Sequence, residues 1–462
     1  MSRALYGARA GEEVQRGWLR TAEVPVAVYG LGKMGLPLAA VYAETTGNVT
    51  GVDIDESVVD AVNAGECPVE REPGLPELVA SLVNRGALAA TTDGPAAAAD
   101  ASLHVVIVPT LVDGDEPDLS AVEAVARDVA AGLEAGDTVV FESTLPPGAT
   151  EDVLVGLLAD ESGLDPDAFG VAFCPERTSS GRALRDVRGT HPKVVGGTDA
   201  EATRVAELVY GELVDNEVVP VADARTAEAV KVFEGLYRDA NIALANDLAR
   251  LADDLGVDVR EAIAAANTQP YCDIHTPGPG VGGHCIPYYP YFVLGWLDRD
   301  VPLVRTAREV NDAMPGFVVD RVAEGLAAGR RAAADGGALA DSAAPDDLAG
   351  ASVAVLGLTY RAGVEETRAS PGVDVCEALA ERGATVHAAD PLVDAAGTSA
   401  SDVAIEDLSV LDLDAVVLAT DHDEFDAVDW RAFAPLVVVD ARDTLDLGET
   451  DHRHYVVGRG WQ

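Results

Sequence analysis

The stretch PVAVYGLGKMGLPLAAVYAE, residues 25–44, leaves this chain few folds to adopt. An apolar run, Val26, Ala27 and Val28, reads as a buried parallel strand. It leads into Gly30-Leu31-Gly32-Lys33-Met34-Gly35 and then an Ala/Leu-rich helix. A second strand, VTGVDID, follows and ends at Asp53. Strand, glycine loop, helix, strand and acid in that order form the dinucleotide-binding pattern. The first two glycines allow the turn and bring a pyrophosphate to the helix N-terminus, with Met34 in the same loop. Asp53 stands where an acid accepts ribose hydroxyls, which favours NAD over NADP. The plainer alternative, glycines that serve only helix–strand packing, is set aside on this combined context of strand, loop, helix, strand and acid.

The α/β alternation continues. SLHVVIVPT reads as a buried strand over Ser102 to Thr110, ending in Pro109-Thr110. DTVVFESTLPPGAT supplies a strand and a loop with Ser143 and Thr144. GVAFCPERTSSGRAL supplies a strand that runs out into Pro175, Glu176 and Arg177, and HPKVVGG, from His191, closes the domain. In an open parallel sheet the ligand site lies beyond the carboxyl ends of the strands, where Thr110, Thr144 and Glu176 all fall.

A long helical stretch then covers Ala222 to Gly256. About 30 helical residues span roughly 45 Å, too long for one small core, so it reads as a spine between two domains and an oligomer surface. Lys231 and Arg238, seven residues apart, share a face with Gly235 between them. Glycine costs about 1 kcal/mol inside a helix, so something packs closely there. TPGPGVGGHCIPYYPYF follows, with four glycines and four prolines around Cys285. That density excludes helix and regular strand and presents the thiol on a pre-bent loop beside His284. Reactive thiols need such an exposed polar setting, so Cys285 is the candidate nucleophile, against the bland reading of a turn with an incidental cysteine.

Val304 to Leu326 reads as one amphipathic helix with Arg305, Arg308 and Asn311 on its polar side, and residues 329–350 as a linker. The βαβ rhythm returns after residue 351, with strands at Val353 to Leu356 and Thr385 to Ala389 and an acid at Asp390. Thr359 occupies the place of the second glycine, so a second dinucleotide is not expected, and Arg361 and Arg368 suit a phosphate or carboxylate. The expected architecture is α/β: two Rossmann-like doubly wound domains joined by a long central helix. Its segments are an N-terminal extension (1–23), an NAD-binding domain (24–212), a central helical and dimerisation domain with the cysteine loop (213–328), the linker (329–350) and a C-terminal domain (351–462).

Composition narrows the function. The formal net charge is −47, acids are spread along the whole chain, and Lys33, Lys193 and Lys231 are the only lysines. Nucleic-acid binding is excluded, since phosphate backbones need basic grooves. Dispersed negative charge in a chain that is 48% hydrophobic fits a highly hydrated surface adapted to concentrated salt. Neither a membrane-spanning apolar run nor a signal peptide is present, so a cytoplasmic protein is expected. Five cysteines without a CxxC pair give no disulfide framework and no zinc site, and no metal is expected.

The motifs GLGKMGLPLA, STLPPG, CPER, TAEAVKVFEGLYRDANIALAND, GPGVGGHCIP and LGLTYR…ETRASP, in that order, resemble the UDP-glucose/GDP-mannose dehydrogenases, a family of nucleotide-sugar dehydrogenases. The GGHCIP, PER and RDANIALAND forms are most similar to its UDP-N-acetylmannosamine dehydrogenase branch. The resemblance implies NAD-dependent, four-electron oxidation of a UDP-sugar primary alcohol to the uronate, with UDP-N-acetylmannosamine favoured over UDP-glucose or UDP-N-acetylglucosamine. It implies Cys285 as nucleophile, Lys231 as oxyanion stabiliser, Glu176 as base and Thr144 as the active-site threonine. It places Gly30, Gly32, Met34, Gly35, Asp53, Pro109, Thr110 and Thr144 at the cofactor, with Arg368 at a pyrophosphate from across a homodimer or larger assembly. Arg177, Lys231, Arg238, Asn241, His284, Arg305 and Arg361 are left to the sugar nucleotide. Two positions depart from the pattern. Many relatives carry an asparagine four residues after the lysine, where this chain has Gly235, and an aspartate four after the cysteine, where it has Tyr289. Two rival readings need less: a two-electron hydroxyacid dehydrogenase requires no cysteine, and a non-catalytic NAD-binding regulator has no use for Cys285, Lys231 and Glu176 together.

The surface charge carries a prediction of its own. At about 1 M salt the Debye length is about 3 Å, and self-repulsion among these acids is screened. Dilution into low salt is expected to inactivate or unfold the protein, as read by activity and thermal midpoint across a salt series; full activity and an unchanged midpoint in dilute buffer would sink this reading.

Overall fold

A computed structural model describes residues 3–179, 181–334 and 348–462, without the side chains of 330–334. The chain divides into two compact units. The first holds Met1–Glu234 with Tyr291–Arg299, and the second Gly235–Pro290 with Asp300–Gln462.

The first unit is built on strands β1 (Val26–Tyr29), β2 (Val49–Val52), β3 (Leu88–Thr91), β4 (Leu103–Val106), β7 (Thr138–Phe141), β8 (Gly170–Phe173), β9 (Lys193–Gly197) and β10 (Val218–Pro220). Strands β5 (Leu111–Asp113) and β6 (Glu116–Asp118) form a separate hairpin. The large sheet runs β10-β9-β8-β7-β4-β1-β2-β3, parallel except between β8 and β9. Val26 lies opposite Val49 on one side and Leu103 on the other. Strands β1, β4, β7 and β8 are buried along their whole length, which is why their sequences are mostly apolar rather than alternating, with His104 and Thr138 as buried polar exceptions. The chain winds outward in both directions from β1 and β4, so their loops open side by side at the carboxyl edge. The strand expected over 102–110 stops at Val106, and residues 107–110 form the loop at that edge.

The N-terminal extension is part of this unit's core. Leu5 and Leu19 are buried, and Arg16 and Arg20 both pair with Glu212. Tyr6 lies where a Cβ at Gly170 would stand 2.6 Å from its ring, and its hydroxyl donates to Asp199 at 2.7 Å.

The second unit carries β11 (Ser352–Leu356), β12 (Thr385–Ala389), β13 (Ser401–Asp402), β14 (Ala415–Leu418), β15 (Val437–Asp440), β16 (Arg453–Val456) and β17 (Gly460–Trp461). Their order is β13-β12-β11-β14-β15-β16-β17, again reversing beside the first strand of the set. Both Rossmann-like sheets of the expected architecture are thus present.

Three helix boundaries differ from expectation. The long helix covers Ala224–Arg250 and breaks at Leu251 before a short turn, Ala252–Leu255. The stretch read as one helix over 304–326 is two, Pro302–Asp312 and Met314–Ala334. Pro315 sits in the first turn of the second, where its missing N–H costs nothing. That helix also takes in the first residues of the expected linker, whose residues 335–347 lie outside those described. Arg308 and Asn311, read as a polar outer face, are buried. Arg308 pairs with Asp239 of the long helix at 2.5 Å, and the Asn311 amide donates to the Asp239 side chain at 2.9 Å.

Candidate active site

In the first unit the glycine loop has the shape that a dinucleotide requires. Gly30 has φ +98°, and a Cβ there would meet the Ile107 carbonyl oxygen at 2.6 Å. At Gly35 a Cβ would come within 1.9 Å of the Gly30 oxygen, so only glycine lets the helix Gly35–Thr46 lie this close to β1. Around Gly32, by contrast, nothing stands within 4 Å. The two outer glycines close the turn and the middle one leaves a cradle for a pyrophosphate at the helix N-terminus. Asp53 steadies the loop, accepting the Leu31 N–H at 2.7 Å and the Asp55 N–H at 3.0 Å. Met34 accepts the Thr178 hydroxyl at 2.9 Å.

The other strand ends meet the same edge. Ser143, next to Thr144, donates to the Val108 carbonyl at 2.7 Å and ties the β7 loop to the one holding Pro109 and Thr110. Glu228 of the long helix, fully buried, accepts the Thr150 N–H at 2.8 Å, the Thr150 hydroxyl at 2.6 Å and the Gly148 N–H. It anchors the far end of the STLPPGAT loop. One turn further along, the Lys231 ammonium donates to the main-chain oxygen of Glu176. Lys231, Thr144 and Glu176 are therefore all fixed to strand-end loops.

Behind Glu176 lies a group of charges that the sequence did not reveal. The Lys193 ammonium is 2.6 Å from the Glu142 carboxylate and 3.6 Å from that of Glu176. Tyr210 donates its hydroxyl to Glu142, and Lys193 lies 4.6 Å over the Tyr210 ring. Burial pushes Glu142 up to about 7 against the pull of Lys193. Burial pushes Lys193 down, but Glu142 and Glu176 outweigh it, so the ammonium stays charged. The cation steadies Glu176 from within the core. Burial pushes Glu228 up to about 7 as well, against its donors Thr150 and Gly148.

In the second unit the cysteine loop is held at several points. Asn246 accepts the Gly278 N–H at 2.9 Å, and Gly283 donates to the Arg368 carbonyl at 2.9 Å. A Cβ at Gly282 would collide with the Ala369 oxygen at 2.5 Å, and one at Gly283 would touch the Tyr360 ring at 3.0 Å. His284 binds the Glu366 carboxylate through Nε2. Cys285 is exposed, whereas Cys174 and Cys376 are buried and Cys67 and Cys272 are half-buried.

The second Rossmann-like sheet repeats the outer glycines but fills the cradle. A Cβ at Gly372 would come within 2.1 Å of the Gly357 oxygen, as at Gly35 and Gly30. Thr359, fully buried, places its hydroxyl 2.6 Å from His422 and 3.1 Å from Asp390. Burial pushes Asp390 up, but His422 and the backbone donors of Thr359 and Leu392 outweigh it and bring it down to about 2. That acid is spent on its own loop.

Several expected substrate contacts have other partners here. Asn241 gives its amide to the Asp273 carbonyl at 2.6 Å and accepts the His275 N–H at 2.8 Å, which folds the approach to the cysteine loop. Arg177 donates to the Pro192 carbonyl at 3.2 Å and pairs with Glu234 at 3.1 Å. Arg305 lies 3.6 Å from Asp300 on the surface, and Arg238, Arg361 and Arg368 are exposed.

Comparison with known proteins accords with this arrangement. Residues 24–214, 225–313 and 354–447 match in turn the NAD binding, central and UDP binding domains of the UDP-glucose/GDP-mannose dehydrogenase family. The chain belongs to that family. It is 35% identical over 440 residues to a UDP-N-acetyl-D-mannosamine dehydrogenase of Pyrococcus horikoshii, covering 94% of this chain and 99% of the relative. It is 37% identical over 427 residues to an NDP-N-acetyl-D-galactosaminuronic acid dehydrogenase of Ralstonia nicotianae, covering 90% and 95%. The solved UDP-N-acetylmannosamine dehydrogenase structure from P. horikoshii superposes with a TM-score of 0.83 at 34% identity, over 95% of this chain and 100% of that one. The protein is thus an NAD-dependent nucleotide-sugar dehydrogenase with a domain for the UDP-sugar. Among the described residues no helix is long and apolar enough to cross a membrane, and no group of three His, Cys, Asp or Glu side chains could hold a metal.

Two measurements test this family member's first unit. Replacing Asp53 with Ala or Ser is expected to raise the KM for NAD and relax rejection of NADP; an unchanged cofactor ratio would remove the acid from the ribose. Glu228 makes stability depend on pH. Its folded value lies near 7 against an ordinary 4.5. Between those values the folded chain keeps a proton that the unfolded chain has lost, so stability falls as pH rises, by up to about 3 kcal/mol. Glu228→Gln is expected to flatten the decline in unfolding midpoint between about pH 5 and about pH 8, relative to the parent protein.

Proposed function

We propose that the chain oxidises the C6 primary alcohol of UDP-N-acetyl-D-mannosamine to the carboxylate, in two hydride transfers through a covalent adduct on Cys285. One observation carries the covalent reading: of five cysteines, Cys285 alone is exposed, on a loop whose glycines let a ligand approach the backbone. The branch and the acetamido sugar are supported by the sequence forms around Glu176, Lys231 and Cys285 and by the acetamido-sugar names of the relatives.

NAD supplies the hydride acceptor, twice per turnover. The alcohol loses a hydride from carbon and a proton from oxygen, giving an aldehyde. The Cys285 sulfur adds to the carbonyl carbon, and the negative charge that forms on oxygen is stabilised by the Lys231 ammonium. Loss of the second hydride leaves a thioester. Glu176, held by Lys193, takes a proton from the attacking water, the carbon–sulfur bond breaks and the thiolate leaves. Thr144 completes the set at the cofactor edge. Arg305, Arg361 and Arg368 meet the phosphates, and Arg177, Arg238 and His284 the remainder of the sugar nucleotide.

The same proposal includes a homodimer formed through the long helix, where Tyr237 and Leu244 are exposed, together with Leu251 and Leu255 just beyond it. It also includes a cytoplasmic setting and, from the charge of −47, working conditions of high salt.

A panel of UDP-sugars with NAD tests the reading: two NADH per sugar are expected, best with the N-acetylmannosamine form, against one NADH for a simple alcohol dehydrogenase. Cys285→Ala is expected to abolish uronate formation while NAD and sugar still bind. Cys285→Ser is expected to stall with sugar attached, because an ester is less reactive than a thioester, and intact-protein mass spectrometry would show the adduct. Two NADH per sugar from Cys285→Ala would refute covalent catalysis.

A further inference from the structure

We infer that Gly235 and Tyr289, the two positions at which this chain leaves the family pattern, form one matched pair that seats the nucleophile loop. Gly235 is buried in the interior of a helix, where glycine costs about 1 kcal/mol relative to alanine. A Cβ placed there would stand 2.0 Å from Tyr289 Cδ2, 2.7 Å from its Cγ and 2.8 Å from its Cβ. The last two are the root of the tyrosine side chain, so the collision cannot be relieved by rotating the ring alone. Tyr289 itself is 7% exposed and fills the notch that the glycine leaves.

What happens at Tyr289 is passed directly to Cys285. The Tyr289 and Tyr288 N–H groups both donate to the Cys285 carbonyl, at 2.9 and 3.1 Å, closing a single turn between nucleophile and aromatic. Pro287 and Pro290 stiffen that turn by fixing φ. A side chain at position 235 must therefore push the ring, the turn and the thiol together. The helix has given up a side chain and the loop has returned the volume as an aromatic ring. Tyr289 is on this account a positioning residue for Cys285, and the inference rests on the proposal that Cys285 is the nucleophile.

The test is a double-mutant cycle in the full-length protein: Gly235→Asn, Tyr289→Asp and both together, which restores the residues that many relatives carry. Gly235→Asn is expected to lower kcat about 100-fold, the usual effect of misplacing a reacting group by about 1 Å, with the KM for NAD little changed. The double variant is expected to recover at least about tenfold over Gly235→Asn, a coupling that independent sites do not show. Because Gly235→Asn could fail to fold, Tyr289→Ala and Tyr289→Phe extend the set without adding bulk. Tyr289→Ala is expected to lose kcat and Tyr289→Phe, which keeps the ring, to retain most of it. A Gly235→Asn variant with parental kcat, additive effects in the cycle, or equal losses in Tyr289→Ala and Tyr289→Phe would each overturn the pairing. Cys285→Ala run alongside separates the two ideas: its normal turnover would dismiss the nucleophile, whereas its inactivity beside a fully active Gly235→Asn would dismiss only the pair.

Discussion

A carboxylate taken out of water must find a partner, and in the second unit that need organises everything around the nucleophile loop. Asp239 is 1% exposed and burial pushes its carboxyl up, while Arg308 opposite holds it down. Asn311 donates to both the side chain and the carbonyl of Asp239, and Asn246 donates to Asn311 at 2.9 Å. The other end of the Asn246 amide takes the Gly278 N–H, where the glycine- and proline-rich loop begins. Removing one member of a buried ion pair typically costs about 3–5 kcal/mol, because the other charge is left stranded. The loop bearing Cys285 is therefore hung from a network whose members cannot be lost one at a time.

This network also shows where sequence stops being informative. Arg308 and Asn311 fall on the polar side of a helical pattern, and a polar stripe reads as a solvated face. Periodicity reports which residues share a face but not what meets it. The roles of Lys193, Glu142 and Asn241 are not legible in the sequence for the same reason: each is a polar residue whose partner lies far away in the chain. The glycine loop was legible because its demands are local. A strand, a positive φ and a close backbone contact all fall within a few residues of Gly30 and Gly35, and nothing but glycine satisfies them. Gly235 lay between these cases. Its cost in a helix announces a close contact, but the neighbour, Tyr289, comes from a loop more than fifty residues away and is set by the tertiary fold.

The two Rossmann-like sheets make the point in another form. Both reverse strand order beside their first strand, both use glycine to let the following helix approach, and both end the second strand in an acid. The loops after their first strands differ in length, with Gly35 five residues beyond Gly30 and Gly372 fifteen beyond Gly357, and in what fills their middle. Gly32 leaves its cradle open, while Thr359 closes the equivalent place with a hydroxyl bound to His422 and Asp390. A shared fold accordingly says little about ligands until the middle position of the loop is inspected.

The fit between Gly235 and Tyr289 makes the two positions unequal in what they tolerate. A ring cannot enter a space already occupied by a side chain, whereas an empty notch in a helix is a tolerable defect. A side chain at 235 meets the ring while Tyr289 stays, whereas a smaller residue at 289 leaves only a hole. Position 235 is thus closed by packing for as long as the tyrosine remains, while position 289 can shrink at the cost of a cavity.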